Sequence, residues 1–254
     1  MFIDTHTHLY LEEFDNDRNA VIKKAMSSGV TKFYLPNIDS TSIEGMLLLE
    51  KEHSENCFAM MGLHPCSVKE NVEDELKLVE EWLGKRKFCA IGEIGIDLYW
   101  DKTFFEQQKM AFRKQIDWAL QYNYPIVIHC REAFDEIYDV LSSYSKLPAG
   151  IFHCFSGTLE QANKIIALGG FKLGIGGVVT FKNSGLDKVV EQLEMKHLVL
   201  ETDSPYLAPN PFRGKRNESG YLVQVAQKIG QLKDLSIAEV GEITTKNAQE
   251  IFGV

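Results

Sequence analysis

Short apolar runs alternate with longer amphipathic stretches along the whole chain. The short runs are rich in β-branched and aromatic residues and end in Gly, Pro, His or acidic residues, which predicts strands. They fall at residues 2–6, 32–36, 58–63, 88–92, 125–129, 150–153, 171–175 and 198–201. The stretches between them repeat apolar positions at helical spacing, as at 18–28, 72–83, 103–121, 133–143, 159–168 and 186–193. Two more helices are predicted in the tail, at 222–232 and 237–251. No linker, low-complexity segment or internal sequence repeat interrupts this alternation. Eight strands alternating with helices predict one α/β domain over residues 1–254, a (β/α)8 TIM barrel. The rival is a doubly wound open sheet.

The polar residues that end the strands choose between the two. His6 and His8 follow the first run, Glu93 the fourth, His129 the fifth, His153 the sixth and Asp203 the eighth. In a closed barrel all these C-terminal ends meet at one mouth. In an open sheet, ends so far apart in strand order rarely converge.

Composition narrows the picture. Hydrophobic residues make up 44 % of the chain, enough for a large core without staples. No stretch approaches the roughly 20 apolar residues of a membrane span, so no membrane association is expected. The N-terminus has no basic segment, and Asp4 and His6 interrupt its apolar run, so no cleaved signal peptide is expected. Five cysteines stand at 57, 66, 89, 130 and 154, an odd number with no Cys-x-x-Cys. Reduced thiols and a cytoplasmic location fit this better than a disulfide framework. The net charge is −9, from 27 Lys plus Arg against 36 Asp plus Glu. That argues against broad duplex binding, but not against an anionic substrate entering a locally positive cleft.

The strand ends carry the candidate chemistry. In an extended segment alternate side chains share a face, so His6 and His8 can grip one ion from one side, with Asp4 as a supporting partner. Glu93 sits between Gly92 and Gly95 at the end of an apolar run, where packing alone explains a carboxylate poorly. The two glycines are expected to let a ligand or metal approach the backbone. His129-Cys130 and His153-Cys154 close two runs in the same way. The cysteines point away from their neighbouring histidines and read as packing residues. Asp203 can bind metal and accept a proton from an activated water, and Glu201 can orient a ligand from below. His64 reads equally as a donor to a phosphoryl oxygen or as a turn residue. After the eighth strand, Arg213, Lys215 and Arg216 form a short basic loop. It is either solvated or a phosphate clamp that Arg131 extends. The glycines at 174, 176 and 177 offer backbone N–H groups to an anion.

Together, Asp4-Thr5-His6-Thr7-His8, Gly92-Glu93-Ile94-Gly95-Ile96-Asp97, Ile128-His129-Cys130-Arg131, His153-Cys154-Phe155-Ser156-Gly157, Glu201-Thr202-Asp203-Ser204-Pro205 and Arg213-Gly214-Lys215-Arg216-Asn217 resemble the TatD family of metal-dependent deoxyribonucleases. That family lies within the amidohydrolase-like barrels. The motifs extend over nearly the whole chain. The resemblance implies a barrel with two divalent metal ions at its mouth, magnesium, manganese or zinc. His6, His8 and Asp203 would hold one, His129 and His153 the other, and Glu93 would bridge. His64, Arg131, Arg213, Lys215 and Arg216 would face the substrate phosphate. The implied activity is hydrolysis of DNA phosphodiesters, on single strands or 3′ ends, with no obligate protein partner. The alternative is a hydrolase of a small amide, lactone or phosphoester on the same barrel. Ser219-Gly220 departs from the proline expected after Asn217-Glu218.

Overall fold

The structure, a computed structural model, describes residues 1–253. Its eight strands are β1 (Phe2–Asp4), β2 (Val30–Leu35), β3 (Cys57–Ala59), β4 (Ile91–Asp97), β5 (Ile126–Arg131), β6 (Gly150–Phe152), β7 (Phe171–Ile175) and β8 (Leu198–Leu200). Each pairs in parallel with its neighbour in sequence, in two arcs, β1-β2-β3 and β4 to β8. Isolated parallel bridges join the arcs at both seams, Met61 with Ile91 and Thr7 with Ser204. Backbone bonds from Gly92 N to Met61 O and from Thr5 N to Leu200 O continue the ladder across them. Strand order never reverses, so the doubly wound sheet is excluded and the (β/α)8 barrel is the fold.

Helices α1 (Arg18–Ser27), α2 (Ile43–Glu52), α3 (Val72–Lys85), α4 (Phe105–Tyr122), α5 (Phe134–Ser142), α6 (Leu159–Ala167), α7 (Leu186–Gln192), α8 (Leu222–Lys233) and α9 (Ile237–Phe252) follow the strands. The pattern reading did not include α2. Its buried stripe, Ile43, Met46 and Leu49, is blurred by the run Leu47-Leu48-Leu49, of which Leu48 faces out. Serine and threonine caps set two helix starts. Thr158 with Gln161 and Ser236 with Glu239 form reciprocal capping boxes on α6 and α9.

Two cores result. The larger lies between the strands and the ring of helices. The smaller gathers inward-facing residues from strands round the ring, including Ile3, Tyr34, Val127, Ile151 and Val199. Ala248, Ile251 and Phe252 of α9 join it, and the Phe252 ring stacks on Tyr34 with centroids 3.9 Å apart. The last helix therefore plugs the bottom of the barrel, and the opposite end, at the strand C-termini, is left for polar residues. Among the described residues no helix is long and apolar enough to cross a membrane.

Three strands differ most from expectation, and one of them, β3, stops at Ala59 instead of reaching Leu63. β1 stops at Asp4, so the two histidines lie in the segment beyond it. That segment stays extended because Thr5 N bonds Leu200 O on one side and Thr7 N bonds Tyr34 O on the other. β4 starts later and runs through Glu93 to Asp97, with every residue buried. Glu93 is thus inside a strand, not at its end. Gly92 and Gly95 make room for β5, not for a ligand: a Cβ on Gly92 would stand 2.9 Å from Val127 Cβ, and one on Gly95, at φ +144°, would run into the His129 carbonyl.

Candidate metal centre

All six residues expected to bind metal meet at the barrel mouth, around the Glu93 carboxylate. Glu93 is 2 % exposed. Its Oε2 lies 3.1 Å from His6 Nε2 and 3.7 Å from His8 Nε2. Asp203 Oδ1 completes this side, 3.7 Å from His6 Nε2 and 3.6 Å from His8 Nε2. The other oxygen, Oε1, lies 2.7 Å from His129 Nδ1 and 2.8 Å from His153 Nε2. Three sets of potential ligands follow: His6, His8 and Asp203; His6, Glu93 and His153; His64, Glu93 and His129.

Hydrogen bonds behind His8 and His129 decide which nitrogen of each faces the centre, while His6 Nδ1 and His153 Nδ1 have no such partner among the described residues. Tyr10 donates its hydroxyl to Pro36 O, so toward His8 Nδ1, 2.8 Å away, it accepts. The His8 proton is therefore on Nδ1, and Nε2 presents a lone pair inward. Asp97 Oδ2 accepts from His129 Nε2 at 2.8 Å, which leaves Nδ1 as the inward lone pair. Glu201 Oε1 lies 3.5 Å from His153 Nδ1, which has no hydrogen-bond partner among the described residues, and accepts instead from Cys154 N. His64 is the opposite case. Its Nδ1 accepts from Cys66 N at 3.0 Å, so Nε2 carries the proton and donates toward Glu93 Oε1, 3.3 Å away. In this tautomer His64 points an N–H, not a lone pair, at the centre. Carboxylates or carbonyl-anchored hydroxyls behind metal-binding histidines fix the tautomer and strengthen the ligand.

Imidazole nitrogens now face one another and the Glu93 carboxylate at short range. His6 Nε2 and His8 Nε2 are 3.3 Å apart, and His129 Nδ1 and His153 Nε2 are 3.4 Å apart. Ring nitrogens meet this closely only with a proton or a cation between them. Burial lowers His153, but Glu93 and Glu201 outweigh it and hold the ring well above the usual histidine range, so a divalent cation here would take the place of a proton. Burial and the neighbouring His153 bring His6 down to about 4, so its ring is neutral and ready to ligate at pH 7. Burial pushes the Glu93 carboxyl up, but His153, His64 and His6 outweigh it and hold it well below the usual carboxylate range. Burial likewise raises Asp203, but the His8 hydrogen bond and His153 overcome it and keep the group ionised.

The remaining expected residues divide. Asp4 is fully buried and turned away from the ion. It accepts from Thr202 N at 2.9 Å and Thr202 Oγ1 at 2.6 Å, and so ties β1 to the segment carrying Asp203. Cys130 and Cys154 are packing residues: burial raises the Cys130 thiol to about 12 and Cys154 further. Neither is a thiolate. The glycines after β7 serve packing, because a Cβ at Gly174 would run into the Glu201 carboxylate and one at Gly177 into the Leu207 carbonyl. Arg131, at the end of β5, is exposed and lies over the Tyr99 ring, 3.8 Å from its centroid. Arg213 and Lys215 are exposed on the loop after β8, and Asn217 pins that loop by donating to Thr202 O and Tyr206 O. Arg216 is already engaged, with a bidentate pair to Asp17 at 2.9 and 2.7 Å. Where proline was expected, Ser219 packs its hydroxyl 3.2 Å from Thr7 Oγ1, a contact proline cannot make.

The sequence reading left Asp97 without a role and missed Tyr10. Both repeat a spacing already in view: Tyr10 stands two residues after His8, and Asp97 lies opposite Arg131 in the β4–β5 register, two residues beyond His129.

Comparison with known proteins agrees with this geometry. Residues 3–253 match the family described as TatD related DNase. The chain is 38 % identical, over the whole of both proteins, to the uncharacterized metal-dependent hydrolase YabD of Bacillus subtilis. It is 30 % identical to the 3′-5′ ssDNA/RNA exonuclease TatD of Pantoea ananatis, over 99 % of each chain. The crystal structure of YjjV, a TatD homologue of Escherichia coli K12, superposes with a TM-score of 0.93 at 31 % identity, covering 100 % of this chain and 98 % of that one. The chain belongs to the TatD-related DNase family.

Proposed function

We propose that this protein is a metal-dependent phosphodiesterase that hydrolyses single-stranded nucleic acid from a free 3′ end, using two divalent ions. The observation that carries this reading is the Glu93 carboxylate with inward imidazole nitrogens on both sides, His6 and His8 on one oxygen, His129 and His153 on the other. His6, His8 and Asp203 hold one ion, His129 and His153 the other, and Glu93 serves both. When bound, the ions lower the pKa of water toward roughly 7 and offset phosphate charge. With neutral histidines, two carboxylates against two divalent cations leave an excess of about two positive charges, which suits an anionic diester.

The side chains supply the rest. Asp203 is 13 % exposed, against 2 % for Glu93, and so is the site carboxylate that water can reach. It accepts the proton of the attacking water. His64 donates its Nε2 proton to a phosphoryl oxygen as charge develops there. Asp97 holds His129 in its ligating tautomer, and Glu201 places a carboxylate 3.5 Å behind His153. The name of the Pantoea relative supports a single-stranded substrate and 3′-to-5′ polarity. Five free cysteines support a cytoplasmic location.

The test is an assay of metal-loaded protein on single-stranded DNA, single-stranded RNA, duplex DNA and a panel of small esters, lactones and amides. Release of mononucleotides from the 3′ end of single strands is expected, abolished by chelator and restored by magnesium, manganese or zinc. A higher kcat/KM on a small amide or lactone would establish the alternative reading. The basic loop gives a second test. Replacing Arg213 and Lys215 with Ala should raise KM for an oligonucleotide. It should also flatten the log–log salt dependence of binding by ~0.7 for each lost phosphate contact. Arg216→Ala, which breaks the pair with Asp17, should lower thermal stability and leave that slope unchanged. Equal slopes for the Arg213/Lys215 variant and the wild type would show a merely solvated loop.

A further inference from the structure

We infer that the turn after β4 is a stacking platform for one unpaired base of the substrate strand, with the Trp100 indole as its face. Trp100 is 68 % exposed and Tyr99 48 % exposed, at the rim of the mouth. Large aromatic side chains seldom stay in water without a partner. The two rings meet edge to face with centroids 4.8 Å apart, and the Arg131 guanidinium covers Tyr99 at 3.8 Å and stands 5.3 Å from Trp100. Arg131 thus occupies Tyr99, while the indole stays open.

The turn is built to be held still. Asp97 Oδ1 accepts from Tyr99 N at 2.9 Å and Trp100 N at 3.2 Å. Gln108 brackets the turn, accepting from Asp97 N and donating to Asp97 O. Lys69 pairs with Asp101 at 2.9 Å on its far side. The other oxygen of Asp97 is the one that orients His129. One carboxylate therefore fixes both the aromatic turn and a ring of the metal centre, so the platform keeps a constant place relative to the scissile bond.

The chemistry selects the occupant. A flat π-face beside a guanidinium that forms no ion pair among the described residues matches a nucleotide, whose base stacks while its phosphate meets the cation. A duplex end offers no such base, because its bases are already stacked on one another. This inference rests on the phosphodiesterase reading above, and it names how a single strand is selected.

The test compares wild type, Trp100→Ala and Trp100→Phe on two 5′-fluorescein decamers, one of thymidines and one of abasic residues with the same phosphates. Binding is read by anisotropy with chelator present, and turnover by KM and kcat with magnesium. Loss of one base stack is expected to weaken thymidine-decamer binding and raise KM by roughly tenfold, with kcat within about twofold. Trp100→Phe should recover most of the loss, and abasic binding should be the same in all three proteins. Unchanged KM and unchanged binding in Trp100→Ala, while the wild type cleaves the decamer, would overturn the platform alone. A wild type that hydrolyses small esters and neither binds nor cleaves the decamer would overturn the phosphodiesterase reading with it. A shift of Trp100→Ala to a smaller assembly in sedimentation, with decamer binding intact, would assign the exposed indole to a protein contact and overturn the platform.

Discussion

Glu93→Gln is expected to lose at least one metal ion and to reduce turnover by about a thousandfold, with the barrel intact. The carboxylate faces His6 and His8 through one oxygen and His129 and His153 through the other. An amide has the same shape but only one acceptor oxygen. Its NH2 half would donate to one pair of inward lone pairs and satisfy them with hydrogen bonds, which competes with the cation. The shared negative charge is lost as well, so two cations would repel across a neutral group. A bound ion supplies several kcal/mol of transition-state stabilisation, and each ~1.4 kcal/mol is tenfold in rate. The fold should survive, because the substitution neutralises a buried charge without opening a cavity. Elemental mass spectrometry measures the first outcome and circular dichroism the last. Full occupancy in the variant would show that Glu93 does not bridge.

Asp203→Asn should separate proton transfer from metal binding. Asparagine can still coordinate through its carbonyl oxygen, but it cannot take up a proton. Turnover at saturating metal is expected to fall by roughly 10²–10⁴, the range for loss of a general base, while metal content stays near that of the wild type. The environment supports the division. Asp203 is the more exposed of the two central carboxylates, and its backbone is held independently of any ion, with Asp203 N donating to His6 O at 2.9 Å and Tyr206 N donating to Asp203 O at 2.8 Å. At φ +54° it occupies the left-handed region, which Asp and Asn both tolerate, so the backbone should not move. Near wild-type turnover at saturating metal would place the base elsewhere. Equal loss of metal and of turnover would make Asp203 a ligand and nothing more.

The linear sequence determined more of this protein than is usual, for a physical reason. A closed barrel sends the C-terminal end of every strand to one place, so a ligand at the end of an apolar run can be assigned to a common site before any contact is known. His6, His8, His129, His153 and Asp203 were legible in that way, and the alternation of runs gave the eight strands and all helices except α2. Its period was lost among consecutive leucines.

What only the tertiary structure decided are relations between side chains far apart in the chain. Pattern reading places strand ends, but it does not say that Glu93 lies within β4, because a buried carboxylate continues a strand when five histidines surround it. Nor does it show that Gly92 and Gly95 yield space to β5, since that depends on the approach of a neighbouring backbone. His64 was left between two readings, and only the structure shows its Nδ1 capping the turn after β3 while Nε2 points to Glu93. Arg216 was indistinguishable from Arg213 in the loop, and Asp17, 199 positions away, takes it out of the clamp. Composition and periodicity carry which residue types recur and where elements begin. Tautomer, pairing and exposure depend on which atoms meet across the barrel, and the fold alone brings those together.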